Sequence, residues 1–288
     1  METNTGLRIF KDATAIVTGS ASGIGKALTI ELSKRGCEVV LADIQYEKAQ
    51  EVASQIQSLG GKASAKKVDV RNYDEMKKLV EETVQKTGRL DYMFNNAGAG
   101  VMGAACNYTI DDWNLIIDIN LRGEINGIQA AYPVMLKQKF GQIVNTASVA
   151  GLTPAPGNIV YSATKHAIVG LSQSLRIEAA VHGIRINVLC PGAINTPMIK
   201  GEGEFNKSLV NKSPEEIEDI FKMLNPIEAD VFARDALNLV AKDKGIIILP
   251  AEKRSFVFMY KLFPEMIING MRKKINKKHP ELLIPKEE

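Results

Sequence analysis

Short apolar runs rich in Val, Ile and Leu recur along the chain, separated by longer stretches whose apolar residues return every three or four positions. The short runs, at 13–18, 37–42, 62–68, 90–94, 142–147, 185–190 and 246–249, predict seven strands. The longer stretches, around 24–35, 46–59, 73–87, 111–138, 160–182 and 226–242, predict amphipathic helices. Strands alternating with helices imply right-handed crossovers and a parallel sheet. The strands read as continuous apolar runs, which suits a sheet covered on both faces. The expected fold is α/β: a doubly wound parallel sheet with helices on both faces, in a single domain.

Two segments break the rhythm. Residues 193–225 form a long excursion after the sixth strand. Within it, Ser213-Pro214-Glu215-Glu216 reads as a helix start, with an N-cap, a proline at the first helical position and a capping-box glutamate. An insertion at the carboxyl edge of a parallel sheet is expected to act as a lid, with a plain surface loop as the alternative. Residues 1–250 are therefore read as the main domain including this lid, and 251–288 as a C-terminal extension that is first apolar, then basic.

Composition narrows the classes of function. Hydrophobic residues make up 45% of the 288, enough for a sizeable core. The net charge of +3 comes from 36 basic and 33 acidic residues, and segment 271–288, with six basic and three acidic, carries the whole excess. The body of the chain is no polyanion binder, so no nucleic-acid partner is expected. Cys37, Cys106 and Cys190 are scattered, and no Cys/His spacing suggests a metal. This usage fits a reduced compartment, and a cytoplasmic location is expected. The first residues lack the apolar core of a signal peptide, and no apolar run approaches bilayer length.

The first candidate site follows the first strand, in TGSASGIG, with Gly19, Gly23 and Gly25. A strand, a glycine-rich turn and a helix N-terminus together suit a pyrophosphate. Asp43 ends the second strand, where a carboxylate can accept hydrogen bonds from ribose hydroxyls and repel a 2′-phosphate. Neither Ser22 nor Ile44 offers a basic side chain for that phosphate, so NAD is expected rather than NADP. The second candidate is the segment YSATK. Tyr161 and Lys165 lie one helical turn apart, and Ser148 ends the strand-like run before them. An ammonium beside a phenol favours the phenolate by charge attraction. Tyr73 and Lys77 share the spacing but sit among charges without such a serine, and read as a solvated helix face.

With these motifs in order, the chain resembles the short-chain dehydrogenase/reductase family, in its compact single-domain subgroup with a Rossmann-type fold. The resemblance spans roughly residues 12–197. TGSASGIG matches the TGxxxGxG cofactor loop and brings in Gly19, Ser22, Gly23 and Ile24. Asp69 and Val70 match the pair that holds the adenine, and Asn95 to Gly98, including Asn96 and Ala97, match the NNAG that supports the loop and cofactor. Asn120, Ser148, Tyr161 and Lys165 match the catalytic set; Pro191, Gly192, Ile194 and Thr196 fall in the PGxxxT segment against the nicotinamide. The resemblance implies NAD(H)-dependent exchange between a secondary alcohol and a ketone. Tyr161 exchanges the proton, Ser148 binds the substrate oxygen, Lys165 favours the phenolate and holds the nicotinamide ribose, and Asn120 positions a relay water.

The substrate pocket is expected among Val101, Met102, Leu152, Pro154, Pro156, Met198, Ile199 and Phe205, with Lys200 and Asn158 nearby. That lining suits an apolar alcohol or ketone, such as a steroid, terpenoid or lipid-like molecule. The alternatives are an NADP-preferring carbonyl reductase and a non-catalytic dinucleotide-binding regulator. The tail departs from the family's glycine-rich end, which packs across a tetramer axis. A homodimer through the helices near 111–138 and 160–182 is expected over a homotetramer. Phe256, Phe258, Tyr260, Leu262, Phe263, Met266 and Ile267 of the tail are expected to pack on the same protein, with a partner subunit or a peripheral membrane contact as alternatives.

Overall fold

In the computed structural model, which describes residues 6–200, 205–210, 213–222, 224–278 and 280, the apolar runs become seven parallel strands. These are β1 (Thr14–Thr18), β2 (Glu38–Asp43), β3 (Lys62–Lys67), β4 (Tyr92–Asn95), β5 (Gly141–Thr146), β6 (Ile184–Pro191) and β7 (Ile246–Leu249). Their order across the sheet is β7-β6-β5-β4-β1-β2-β3. The chain therefore runs outward from β1 to β3 and returns to lay β4 against the other side of β1. That reversal opens a crevice at the carboxyl ends of β1 and β4, where ligands of such sheets bind.

Alternation along each strand sends side chains to two cores. Ala15, Val17, Val39 and Leu41 meet Leu28 and Leu32 of α1 (Gly23–Lys34), Val52 and Ile56 of α2 (Tyr46–Ser58) and Phe232 and Leu237 of α8 (Ala229–Ala241). Ile16, Val40 and Met93 face the other side, against Met76 and Val80 of α3 (Tyr73–Thr87) and Met135 of α5 (Gly123–Gln138). The same core takes in Ala179 of α6 (Ile159–Ala180). Each such Val, Leu, Ile or Met contributes about 1.5–3 kcal/mol by leaving water. β3 (KASAKK) lies at the sheet edge and is partly exposed, and its lysines discourage pairing with another chain.

One element departs from the periodicity. The stretch 111–138 is not one helix: α4 (Ile110–Ile117), capped by a Thr109/Asp112 box, gives way to a π turn over Asp118–Arg122 before α5 begins. The wider turn inserts one extra residue into the helical phase, a feature concentrated at functional sites.

The excursion after β6 is stitched to the sheet's carboxyl edge. Lys207–Ser208 pair with Val101–Met102, and Ile227–Glu228 pair with Ile194–Asn195. Lys207 also reaches Asp112 of α4 at 2.8 Å. The helix expected at Ser213-Pro214-Glu215-Glu216 forms as α7 (Pro214–Lys222), with Ser213 Oγ accepting the Glu216 N–H and Glu216 accepting the Ser213 N–H. Residues 201–204, 211–212 and 223 of the excursion, and 281–288 of the tail, lie outside the described residues.

The tail forms α9 (Lys253–Leu262) and α10 (Pro264–Lys278). The expectation that its apolar residues pack on the same chain holds only in part. Val257 is buried and Phe256, Tyr260 and Ile267 are half-buried, whereas Phe258, Leu262, Phe263 and Met266 are exposed. Among the described residues, no helix is long and apolar enough to cross a membrane.

Candidate active site

The glycine loop is built by close approach. Gly19 has φ +64°, and a Cβ there would lie 2.8 Å from Ala97 Cα. At Gly25 a Cβ would lie 2.0 Å from the Gly19 carbonyl oxygen, so α1 could not seat against the loop. Ser22 stands at the N-cap of α1 without a capping side-chain bond, which leaves first-turn N–H groups available to an anion. Gly23, also left-handed (φ +52°), meets the Thr196 methyl, so the loop and the segment after β6 touch.

Thr18 and Asn96 tie this loop to the end of β4. Thr18 Oγ1 accepts the N–H groups of Asn96 (2.9 Å) and Ala97 (3.1 Å), and Asn96 Nδ2 donates to the Thr18 carbonyl at 3.0 Å. Asp43 is buried, and its carboxylate accepts the N–H of Ala21 (2.8 Å) and of Gln45 (2.9 Å). It thus forms the turn after β2 and anchors the glycine loop. A carboxylate offers about four acceptor sites, so capacity remains for ribose hydroxyls. Together, the side-chain-free loop, uncapped helix end and spare carboxylate capacity fit a dinucleotide.

Asp69 differs in emphasis. Its carboxylate is gripped by the Arg71 guanidinium at 2.6–3.0 Å, and that bond holds it below the usual carboxylate range. Arg71 in turn lies over the Phe205 ring of the excursion, 5.2 Å from its centroid. Val70 packs against Gly123, where a Cβ would come within 2.7 Å of it.

The catalytic candidates converge at the ends of β5 and β6. Lys165 is buried, and its ammonium donates to the Thr146 carbonyl at 2.7 Å and lies 5.5 Å from the centroid of the Tyr161 ring. Tyr161 itself is half-exposed. Ser148 leaves β5 in extended conformation; its hydroxyl donates to the Pro191 carbonyl at 3.3 Å and accepts the Ala150 N–H at 3.1 Å. Asn120, fully buried in the π turn, accepts the Ala99 N–H (2.8 Å) and donates to the Ala99 carbonyl (2.9 Å) and to Thr164 Oγ1 (3.3 Å). Its side chain therefore serves a neighbouring loop, not the backbone of its own helix. A Cβ at Gly98 would lie 3.3 Å from Asn120 Oδ1 and 3.7 Å from Lys165 Nζ, so these three positions meet. Gly192 adjoins Pro250 and Lys253, and Ile194 is buried in the first core.

Several supporting residues went unread in the sequence. Thr146 receives Lys165 on its carbonyl, and its N–H donates to Glu124 Oε1 at 2.7 Å. Glu124 is buried, and loss of water pushes its carboxyl up to about 8 against the lowering effect of Lys165. Thr164 links Asn120 to the Tyr161 carbonyl, which its hydroxyl meets at 2.8 Å. Helical spacing from Tyr161 could have flagged Thr164; nothing in an amphipathic pattern marks Glu124 as buried. Tyr73 and Lys77 behave as the control predicts: Tyr73 is exposed and Lys77 faces Glu81 on the surface of α3.

The expected pocket lining divides. Val101 and Met102 are buried against Leu209 and Val210, so they pack the excursion onto the domain. Leu152, Pro154, Pro156, Ile199 and Phe205 are half-buried and Met198 is 37% exposed, which suits a cleft wall. Asn158 stands at the N-cap position of α6 without a capping side-chain bond and is half-buried. A separate groove of about 670 Å³, lined by Arg8, Lys11, Glu38, Lys62 and Arg89, opens at the amino edge of the strands, the opposite end from this chemistry.

Residues 13–207 match the sequence model of the family described as short chain dehydrogenase. The 3-oxoacyl-[acyl-carrier-protein] reductase FabG of Thermotoga maritima is 38% identical over 183 residues, covering 64% of this chain and 74% of that protein. The cyclohexanol dehydrogenase of Acinetobacter sp. (strain SE19) is 38% identical over 224 residues, covering 75% and 88%. A short chain dehydrogenase/reductase from Burkholderia phymatum, solved in complex with NAD, superposes with a TM-score of 0.80 at 25% identity, covering 90% of this chain and 96% of that one.

Proposed function

The chain belongs to the short-chain dehydrogenase/reductase family and is an oxidoreductase, and on that premise we propose that it interconverts a secondary alcohol and a ketone using NAD. One observation carries the reading: the buried Lys165 ammonium, fixed on the Thr146 carbonyl, 5.5 Å from the Tyr161 ring. An ammonium held beside a phenol attracts the negative charge that develops on its oxygen as the proton leaves. Tyr161 then takes the alcohol proton in oxidation and returns it in reduction. Ser148 donates a hydrogen bond to the substrate oxygen, exchanging its bond to Pro191 for one to the reacting group. Asn120 holds Ala99 and Thr164 in place, and Thr164 in turn meets the Tyr161 carbonyl; Asn120 would position the water that relays a proton from Lys165. A bound nicotinamide ring accepts or donates the hydride.

Gly19, Ser22, Gly23 and Ile24 would take the pyrophosphate, Asp43 the adenosine ribose, Asp69 and Val70 the adenine side, and Asn96, Ala97 and Gly98 the middle of the cofactor. Lys165 and Pro191 to Thr196 would hold the nicotinamide half. The buried Asp43 carboxylate favours NAD over NADP, because a 2′-phosphate would bring two negative groups together without a basic side chain at Ser22 or Ile44. The half-buried Leu152, Pro154 and Pro156 and the exposed Met198 support an apolar substrate, as does likeness to a protein named for cyclohexanol. Exposed Ile177 on α6, Val181 at its C-cap and Ile125 on α5 support pairing of copies through those helices. Initial rates over alcohols of graded size and polarity, each with NAD and NADP, test this reading. It expects bulky apolar secondary alcohols with NAD to be preferred. Exclusive use of a small charged substrate, or a preference for NADP, contradicts it.

A further inference from the structure

The C-terminal helices present a surface that the catalytic reading does not use. Phe258, Leu262, Phe263 and Met266 are 61%, 53%, 51% and 54% exposed, with Met259 and Ile268 exposed beside them. Phe258 and Leu262 are one turn apart on α9, and Phe263 and Met266 carry the apolar surface through the bend at Pro264 into α10. The other side of each helix is already engaged. Val257 is buried, Phe256 and Tyr260 are half-buried, and Ile267, Met271 and Ile275, spaced by four, are half-buried along α10.

Charge says what this face fits. Residues 253–278 contain eight basic residues and one acidic, Glu265, for a net +7; the rest of the chain, with 28 basic and 32 acidic, is −4. Lys261, Arg272, Lys273, Lys274 and Lys277 are exposed, and among the described residues none is paired with a carboxylate. A second copy brought face to face would set +7 against +7. An anionic lipid surface would meet both the cations and the apolar side chains.

We propose that α9 and α10 lie in the headgroup layer of an anionic bilayer, with Phe258, Leu262, Phe263 and Met266 entering the acyl boundary. α9 starts beside Gly192 and the excursion, at the border of the candidate site. The Lys253 side chain lies 3.3 Å from where a Gly192 Cβ would sit, and its ammonium donates to the Leu224 carbonyl at 3.4 Å, at the end of the excursion. Docking would therefore set the cleft at the lipid surface. Delivery of an apolar substrate from the bilayer rests on the function proposed above; the docking itself does not.

Co-sedimentation of the full chain with vesicles of phosphatidylcholine alone, or of phosphatidylcholine with phosphatidylserine, tests the docking. Binding is expected to the phosphatidylserine vesicles and to weaken as salt rises. The pair Phe258→Ser and Leu262→Ser, and separately Arg272→Glu with Lys273→Glu, should each reduce it about tenfold or more. Turnover of a water-soluble alcohol should be unchanged in both variants. If that turnover is absent in wild type while the vesicles bind, the enzymatic reading fails and the docking stands. The proposal is overturned if the wild type stays in the supernatant or binds both lipid compositions equally. It is also overturned if binding appears only after residues 281–288 are removed. Failure to bind, with a dimer in light scattering that Phe258→Ser/Leu262→Ser dissolves, assigns the face to a second copy.

Discussion

Glu124 shows how one buried carboxyl couples stability to acidity. Its carboxyl accepts the N–H of the residue whose carbonyl holds the Lys165 ammonium, and burial pushes its pKa up to about 8. Between the unfolded carboxylate value of 4.5 and about 8, the folded chain keeps a proton that the unfolded chain releases. The stabilising contribution is complete below 4.5 and is lost as pH rises through 8. Its slope is at most about 1.4 kcal/mol per pH unit. Urea unfolding across that window should show stability falling with pH in the wild type and a flatter profile in Glu124→Gln; parallel profiles would count against this role. Asp69 and Asp112, both held low by basic neighbours, change charge below the window. Tyr161, Lys165, Ser148 and Asn120 were legible because motif order identifies them. Glu124 was not, because an acid on an amphipathic helix ordinarily faces water and only the packed fold buries it.

Elements divide in the same way. Six of the seven strands were legible because both sheet faces are covered there, which leaves continuous apolar runs, whereas β3 (KASAKK) carries lysines at the exposed edge; all seven end close to the expected bounds. The break between α4 and α5 was not. A π turn adds a single residue, and apolar spacing over 111–138 barely registers it. Its consequence is specific: Asn120 turns inward and satisfies both the N–H and the carbonyl of Ala99. Asn120→Ala would leave both groups buried without partners, at a cost of about 1–3 kcal/mol each. Thermal unfolding should report a drop of several degrees (about 2–4 °C per kcal/mol at this size), with reduced turnover. An unchanged midpoint would mean that Ala99 finds other partners.

At the scale of the whole molecule, the sheet order brings segments from six strand ends to one edge, and that convergence turns scattered motifs into a site. The tail shows the limit of the sequence. Its apolar content was plain, but periodicity cannot say whether an apolar face meets the chain's own core or something outside it. The fold resolves this by seating Val257 and exposing Phe258. The central claim concerns proton exchange at Tyr161, and Tyr161→Phe removes one oxygen while leaving the ring that lies by Lys165. The decisive measurement is turnover of an alcohol by Tyr161→Phe, with NADH binding followed by fluorescence on the same sample. The account predicts retained NADH binding and turnover lower by about 10²–10⁴-fold or more. Near-normal turnover in that variant would contradict it.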